Sequence, residues 1–166
     1  MISEPTFEFL AIRLRKGGRQ QFIANWSLKT ILTCLGHMAQ DSTHGCGLRI
    51  NHSRARKLAN NWLAESGIPF TSPLVLAIES PNTFRPLSKF PDSGFGIVSL
   101  PFSALIDVAD GIHRIAAIRQ MDLSPKILVE SEWPVELIEC KGGDDAAKLT
   151  SQLRRDLRPR RPPTKS

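Results

Sequence analysis

The sequence predicts one α/β or α+β domain in which helices flank a mixed β-sheet. Segments of strand character and of helix character alternate along the chain. The run 74–78 is continuously apolar between two prolines, which is typical of a strand buried on both faces. Of the 166 residues, 41% are hydrophobic and 23% are charged, which is the composition of a globular domain and not of a disordered chain. A core of ordinary size is therefore expected.

The N-terminal third predicts a hairpin followed by a helix. Residues 7–14 and 20–25 have strand character, and the glycine turn at Gly17-Gly18 between them indicates a β-hairpin. Ser27 is a suitable N-cap for a helix that runs to about Ala39. The polar, glycine-containing residues 40–47 then predict a loop.

The clearest helix signal begins after residue 51. Apolar side chains recur at i, i+3, i+4, i+7 and i+8, with Asn51 or Ser53 as the cap and Gly67 as the stop. The residues expected to share the buried face are Ala55, Leu58, Ala59, Trp62 and Leu63.

The remaining elements follow from apolar runs and from proline and glycine. Residues 82–96 are rich in Pro, Ser and Gly and predict a surface loop that could overhang a site. Strands are predicted at 97–100, 105–109 and 135–140. Ser124-Pro125 is expected to end the helix that starts near Ile112, and residues 144–153 predict the last helix.

Polar chemistry is concentrated where the strand at 105–109 turns into a helix. Asp110 suits the N-cap, and Gly111 lets the backbone approach a ligand above the first turn. The free N–H groups of Gly111, Ile112 and His113, together with Arg114, would form a phosphate or carboxylate site. The alternative is a capped helix whose Arg114 pairs with Asp107 or Asp110.

The net positive charge of the chain comes from its C-terminal residues. Residues 1–147 contain 15 Lys+Arg and 15 Asp+Glu, whereas residues 148–166 contain seven basic residues and only Asp156, which accounts for the net +6. We expect a domain over 1–153 and a disordered basic tail over 154–166. Any DNA-binding face on the domain must therefore come from local clustering.

Two local basic clusters are candidates for contact with nucleic acid. One lies at the hairpin tip, where Arg15, Lys16 and Arg19 accompany Arg13; the other lies on and before the helix after residue 51, and consists of Arg49, Arg54, Arg56 and Lys57. Basic residues in a first helical turn oppose the helix dipole, so a bound polyanion would favour them. Solvated charge or a salt bridge is the alternative for both clusters.

Metal binding is not expected. His37, His44, Cys46 and His52 match no known ligand spacing, and the three cysteines form no C-x-x-C pair. A sparse, odd cysteine count suits a reducing compartment, and no stretch approaches a membrane span. We expect a cytoplasmic protein with no membrane partner.

The segment Asp110-Gly111-Ile112-His113-Arg114, followed by Ile115-Ala116-Ala117-Ile118, resembles the Asp-Gly-Gln-His-Arg signature of the DGQHR-domain family. That family includes the DndB-like proteins of DNA sulfur modification (phosphorothioation). Four of five letters match, and Ile112 stands where the family has Gln. The segment from Arg49 to Trp62 also resembles an arginine-rich segment of the family. The resemblance covers most of residues 7–141 and only the first part of a family member.

The resemblance implies a fold similar to the ParB and sulfiredoxin superfamily, in which a related element contacts nucleotide phosphates. It implies a DNA-binding transcriptional regulator of the modification genes. The position of sulfiredoxin's nucleophilic cysteine corresponds to Ile112, which argues against peroxide repair.

Three interpretations stay open at this point. The first is the DNA-binding regulator, with DNA as the partner and no cofactor. The second is a nucleotide pocket in which Asp110 orients a water or metal ion for hydrolysis of a nucleoside triphosphate; the absence of a complete catalytic set favours no enzymatic activity. The third is an inactive remnant of the family. For an anion site, replacing Arg114 by alanine is expected to weaken binding with little effect on stability.

Overall fold

The structure is a computed structural model and describes residues 4–16, 18–35, 49–65, 68, 72–79, 83–87 and 94–156. The strands in these ranges are β1 (Thr6–Lys16), β2 (Arg19–Ser27), β3 (Leu74–Glu79), β4 (Thr83–Pro86), β5 (Phe95–Pro101), β6 (Leu105–Asp110) and β7 (Glu132–Glu139). The helices are α1 (Leu28–Leu35), α2 (His52–Ala64), α3 (Ile112–Gln120), α4 (Pro125–Glu130) and α5 (Gly143–Asp156). The predicted mixed α/β fold is confirmed.

The strands form one seven-stranded sheet in the order β4-β5-β1-β2-β7-β3-β6. Its pairs are antiparallel except β3 with β7, which is parallel. The predicted hairpin of β1 and β2 is present, and Gly18 adopts a φ of 76° in its turn. Strand β3 lies between β7 and β6, and all of Leu74–Ile78 is buried, as the continuous apolar run predicts.

The two faces of the sheet are covered differently. Helices α1, α2 and α3 contribute buried side chains to the larger core, together with Phe22, Trp26 and Trp133 from the sheet. Helix α5 packs on the opposite face, where Ala146 and Leu149 form a smaller core with residues of β3, β6 and β7. The site described below lies at the end of the sheet where β6 passes into α3.

Helix starts follow the local capping signals. The Oγ atom of Ser27 accepts a hydrogen bond from the N–H of Thr30 at 3.1 Å. The Oδ1 atom of Asn51 accepts one from the N–H of Arg54 at 3.0 Å, so Asn51 and not Ser53 is the cap of α2. These bonds satisfy amides that the first helical turn leaves without a backbone partner.

Three predictions about the middle of the chain are wrong. Part of the expected loop 82–96 is strand β4, which pairs with β5 at the sheet edge opposite β6, so this strand does not overhang the site. Helix α3 ends at Gln120, and Ser124-Pro125 begins α4: Ser124 Oγ accepts from the N–H of Ile127 at 3.4 Å, and proline occupies the first turn. Leu63 is 58% exposed, although its spacing placed it on the buried face.

The C-terminal boundary also differs from the prediction. Helix α5 continues to Asp156, so residues 154–156 belong to the folded domain and not to a tail. Residues 157–166 lie outside the described residues, as do 36–48, with His37, His44 and Cys46, and Gly67. None of the described helices has the length and apolar character needed to cross a membrane.

Leu76 provides a test of the buried strand β3. It is fully buried in β3, so Leu76→Ala should lower the free energy of unfolding by about 3 kcal/mol through lost burial and a residual cavity. Urea unfolding followed by circular dichroism measures the loss. Leu105→Ala on β6 is the control, because Leu105 is 66% exposed and should lose less than about 0.5 kcal/mol. Equal losses would contradict the burial of β3.

Candidate functional site

The junction between β6 and α3 requires a glycine. Gly111 is the N-cap of α3 and has a φ of 104°, in the left-handed region that side chains disfavour. A Cβ atom here would collide with Leu74 and lie 3.0 Å from Nη2 of Arg114. The prediction of Asp110 as the N-cap is therefore wrong. Asp110 still belongs to β6, where it pairs with Val75, and its carboxylate contacts Arg114.

The first turn of α3 has free donors. The carbonyl of Gly111 accepts from the N–H groups of Arg114 at 2.9 Å and Ile115 at 3.1 Å. Within the described part of the chain, the N–H groups of Ile112 and His113 have no acceptor, and no side chain caps the helix. The Ile112 side chain is buried, so its position contributes a backbone donor and no polar side chain.

His113 connects the starts of two helices. Its Nε2 atom accepts a hydrogen bond from the backbone N–H of Asn51, the cap of α2, at 3.0 Å. Burial lowers the pKa of His113, the nearby Arg54 lowers it further, and Asp110 partly opposes them. His113 is therefore neutral near pH 7, and because Nε2 accepts, its proton is on Nδ1.

Arg114 is held by four hydrogen bonds. Its Nη1 atom donates to the carbonyl and to the Oγ atom of Ser72, the latter at 2.7 Å. Its Nη2 atom donates to the carbonyl of Pro73 at 3.1 Å and to Oδ2 of Asp110 at 2.8 Å. All four Nη protons are thus used within the protein, and the side chain is only 12% exposed. Burial lowers the pKa of Arg114 and the Asp110 charge raises it, and the group stays protonated.

A pocket of about 450 Å³ opens above this turn. Its lining comes from α2, the residues before β3, the end of β6, the start of α3 and the end of α5: Arg54, Leu58, Ser72, Ala109, Asp110, Gly111, Ile112, His113, Arg114, Leu153 and Arg154. Three arginines against one aspartate give this wall a formal charge of +2 while His113 is neutral. The Asp110 carboxylate is already paired with Arg114. The pocket therefore suits an anion.

The predicted basic residues do not form one surface. Arg54 lines the pocket, while Arg49, Arg56 and Lys57 are exposed on and before α2. Arg19 instead forms an ion pair with Asp145 near the start of α5. Asp145 and Arg154 are nine residues apart on that helix, or about 14 Å along its axis. The hairpin tip thus lies at the other end of α5 from the pocket.

The other three basic residues of the hairpin are Arg13, Arg15 and Lys16. The Arg13 guanidinium lies 4.3 Å from the centre of the Phe84 ring, and Arg15 is exposed. The side chain of Lys16 lies outside the described part of the structure.

Sequence reasoning missed Arg154, which it assigned to the tail. A signal was present, since Leu149, Leu153 and Leu157 recur every four residues and predict a helix that continues past residue 153. Helix α5 carries Arg154 to the pocket, where its charge also contributes to lowering the pKa of His113.

A family model described as "DndB: DNA-sulfur modification-associated" matches residues 9–143, which is well over half of the chain. The chain belongs to the DndB family. This DndB chain is accordingly associated with DNA sulfur modification. The match includes the whole strand, turn and helix from β6 to α3, while Arg154 lies beyond it. Comparisons with curated proteins and with solved structures found no match. The relation to ParB and sulfiredoxin stays a prediction.

The geometry of Arg114 changes the expectation for its removal. Arg114→Ala would leave the Asp110 carboxylate and the carbonyls of Ser72 and Pro73 without donors, so the free energy of unfolding should fall by about 3 kcal/mol. Arg114→Lys should recover only part of this, because one ammonium cannot span the same acceptors. Urea unfolding of both variants measures the loss. Unchanged stability in Arg114→Ala would contradict the structural role.

His113 predicts a dependence of stability on pH. Since its pKa is lowered in the folded protein, the unfolded chain takes up a proton first as the pH falls. The contribution of neutral His113 to the free energy of unfolding is fully present above the ordinary histidine pKa of about 6.5. It declines as the pH falls below this value, until His113 is protonated in the folded protein as well. His113→Gln keeps an acceptor and does not titrate. The free energy of unfolding should therefore fall less steeply from pH 8 to pH 5 in the variant than in the wild type. Parallel pH dependences of the two proteins would contradict the lowered pKa of His113.

Proposed function

We propose that this DndB protein is a DNA-binding transcriptional regulator of DNA sulfur modification, and that the pocket at the start of α3 binds a phosphate group of the DNA backbone. One observation carries the proposal: Arg54 from α2 and Arg154 from α5 converge on the free N–H groups of the α3 first turn. These groups come from distant parts of the chain. Their meeting in one pocket is what an anion site requires.

The chemistry of the pocket favours phosphate. The free N–H groups of Ile112 and His113 lie at the positive end of the α3 dipole, where phosphates commonly bind. No acidic residue occupies the first turn of α2 or of α3. Two exposed or partly exposed arginines would supply charge-assisted hydrogen bonds to phosphate oxygens, and His113 can donate through Nδ1 without adding charge.

The surroundings favour a polymer of phosphates over a single anion. Arg56, Lys57 and Arg49 are exposed and lie on or just before the helix that brings Arg54 to the pocket. Binding to DNA depends largely on several such contacts to successive phosphates, which position the protein on the duplex. The pocket would then be the anchor of a longer basic surface.

A nucleotide is the second candidate, because the pocket volume of about 450 Å³ lies in the range of small-molecule sites and Leu58 and Leu153 add apolar walls. Hydrolysis has less support than binding. The Asp110 carboxylate, which would have to orient a water or metal ion, is paired with Arg114 at 2.8 Å.

The test is fluorescence anisotropy with a labelled duplex from the protein's own upstream region. Arg54→Gln and Arg154→Gln should each weaken binding about tenfold, the loss of one charge-assisted contact, and should lower the salt dependence by about one counterion. Neither should change the melting temperature. Arg155→Gln is the matched control, since Arg155 is exposed on the same helix and does not line the pocket.

Two outcomes would overturn the proposal. If the protein binds the upstream duplex no more tightly than a scrambled duplex, the proposed function as a transcriptional regulator is wrong. Unchanged DNA affinity in both variants, with calorimetric binding of ATP or CTP that Arg54→Gln abolishes, would assign the pocket to a nucleotide.

A further inference from the structure

The sheet face on which α5 packs carries exposed apolar side chains over one half of its width. Helix α5 packs against β3, β6 and β7 on this face. Over β5, β1 and β2 no described helix covers it, and the exposed side chains there are Leu10 (54%), Ile12 (48%), Leu14 (41%), Ile23 (39%) and Phe95 (49%).

The strand register makes these side chains one patch. Ile12 of β1 is directly opposite Ile23 of β2 and Phe95 of β5, and Leu10 is opposite Ile97. Directly opposed residues point to the same face of a sheet. A shallow concavity of about 470 Å³ lies among them. Single exposed leucines are ordinary, whereas a contiguous apolar patch of this kind marks an interaction surface.

Opposite charges flank the patch on its two sides. Arg85 lies on β4, two strands from β1 in one direction, opposite Ile97 in register. Glu132 and Glu136 lie on β7, two strands from β1 in the other direction, on either side of Pro134. Glu136 is opposite Ile23, and Arg85 is exposed, so these charges border the same face. The patch is therefore basic at β4 and acidic at β7. On β1 it is apolar from Leu10 to Leu14, and it is bordered at the start of the strand by Glu8, whose Oε1 atom accepts a hydrogen bond from Ser99 Oγ at 2.8 Å.

We propose that this face binds a second copy of the chain, with a two-fold axis along β1. Rotation about this axis keeps the position of each residue along the strand direction and reverses the order of the strands across the sheet. Strand β1 of one copy therefore faces β1 of the other copy, β5 faces β2, and β4 faces β7. Arg85 is opposite Ile97, which is opposite Leu10. Extending the β1–β2 register by two residues from Ile12 and Ile23 adds Asn25 and Pro134 to this row, so Arg85 lies between the Glu132 and Glu136 positions of the other copy. The surface is thus complementary to itself in apolar area and in the pairing of Arg85 with Glu132 and Glu136, as a two-fold interface requires, while Glu8 lies at the end of the contact and is bonded to Ser99.

The size of the patch sets the expected affinity. The five strands from β4 to β7 and residues 8–14 of β1, which include Glu8, give a face of about 20 Å by 20 Å, or roughly 400 Å² for each copy. This is about half of the roughly 800 Å² that each partner contributes to a standard interface. We therefore expect a dimer in rapid exchange with monomer at micromolar or weaker affinity.

The experiment is sedimentation equilibrium of the full chain from micromolar to millimolar concentration. The wild type should shift from monomer to dimer. Ile12→Glu should raise the dissociation constant about tenfold or more, because it places a charge at the centre of the apolar contact. Val129→Glu on α4 is the matched control, since Val129 is 55% exposed elsewhere and should not change association. Both substitutions are at exposed positions, and equal melting temperatures check that both variants fold.

Charge reversal tests the orientation. Arg85→Glu and Glu132→Arg should each weaken the dimer severalfold, and the double variant should restore it, because the pairing is then reversed on both sides. A wild type that stays monomeric at every concentration, or a dimer that Ile12→Glu does not weaken, would overturn the proposal. A dimer insensitive to both charge reversals would overturn the two-fold arrangement. None of these outcomes depends on DNA binding.

Discussion

The guanidinium of Arg114 is the interaction on which the functional end of the molecule depends. It joins α3 to the carbonyls of Ser72 and Pro73, which precede the buried strand β3, and to Asp110 at the end of β6. The carbonyl of Ser72 also accepts a hydrogen bond from Nε1 of Trp133 in β7 at 2.9 Å. Arg114 thus holds α3 against the start of β3 and the end of β6, and the Ser72 carbonyl that it shares with Trp133 connects both to β7. A buried cation is stable there because each Nη proton has an acceptor.

This arrangement explains the position of the pocket and of its free donors. With Arg114 turned toward Ser72 and Asp110, the amides of Ile112 and His113 are left as the free donors of the turn. His113 in turn binds the start of α2 through Asn51, which sets the position of Arg54 at the pocket. The residues of the signature therefore have different structural roles. Arg114 holds the turn in place, His113 contacts the start of a second helix, and Arg54 and Arg154 supply the exposed positive charge of the pocket.

Much of the architecture was predictable because it depends on local signals. The continuous apolar run of β3, the glycine turn of the hairpin and the caps at Ser27 and Asn51 each act within a few residues, and each appears in the structure. Errors arose where the local signal was ambiguous. Ser124-Pro125 can end one helix or begin another, and here it begins α4. Leu63 fits the apolar face by spacing and is exposed, because Ala55, Ala59 and Trp62 make the packed stripe narrower.

The residues alone were enough to predict most of the elements and their positions, and the strand, glycine turn and helix that carry the signature and connect this chain to the DndB family. The tertiary structure alone decided what the signature side chains contact. Arg114 meets residues 41 and 42 positions earlier in the chain, and Arg154 reaches the pocket from a helix on the other face of the sheet. Hydrophobic periodicity and helix capping depend on residues that are close in the sequence. The contacts of Arg114 and Arg154 instead depend on strand order and register, which bring distant segments together.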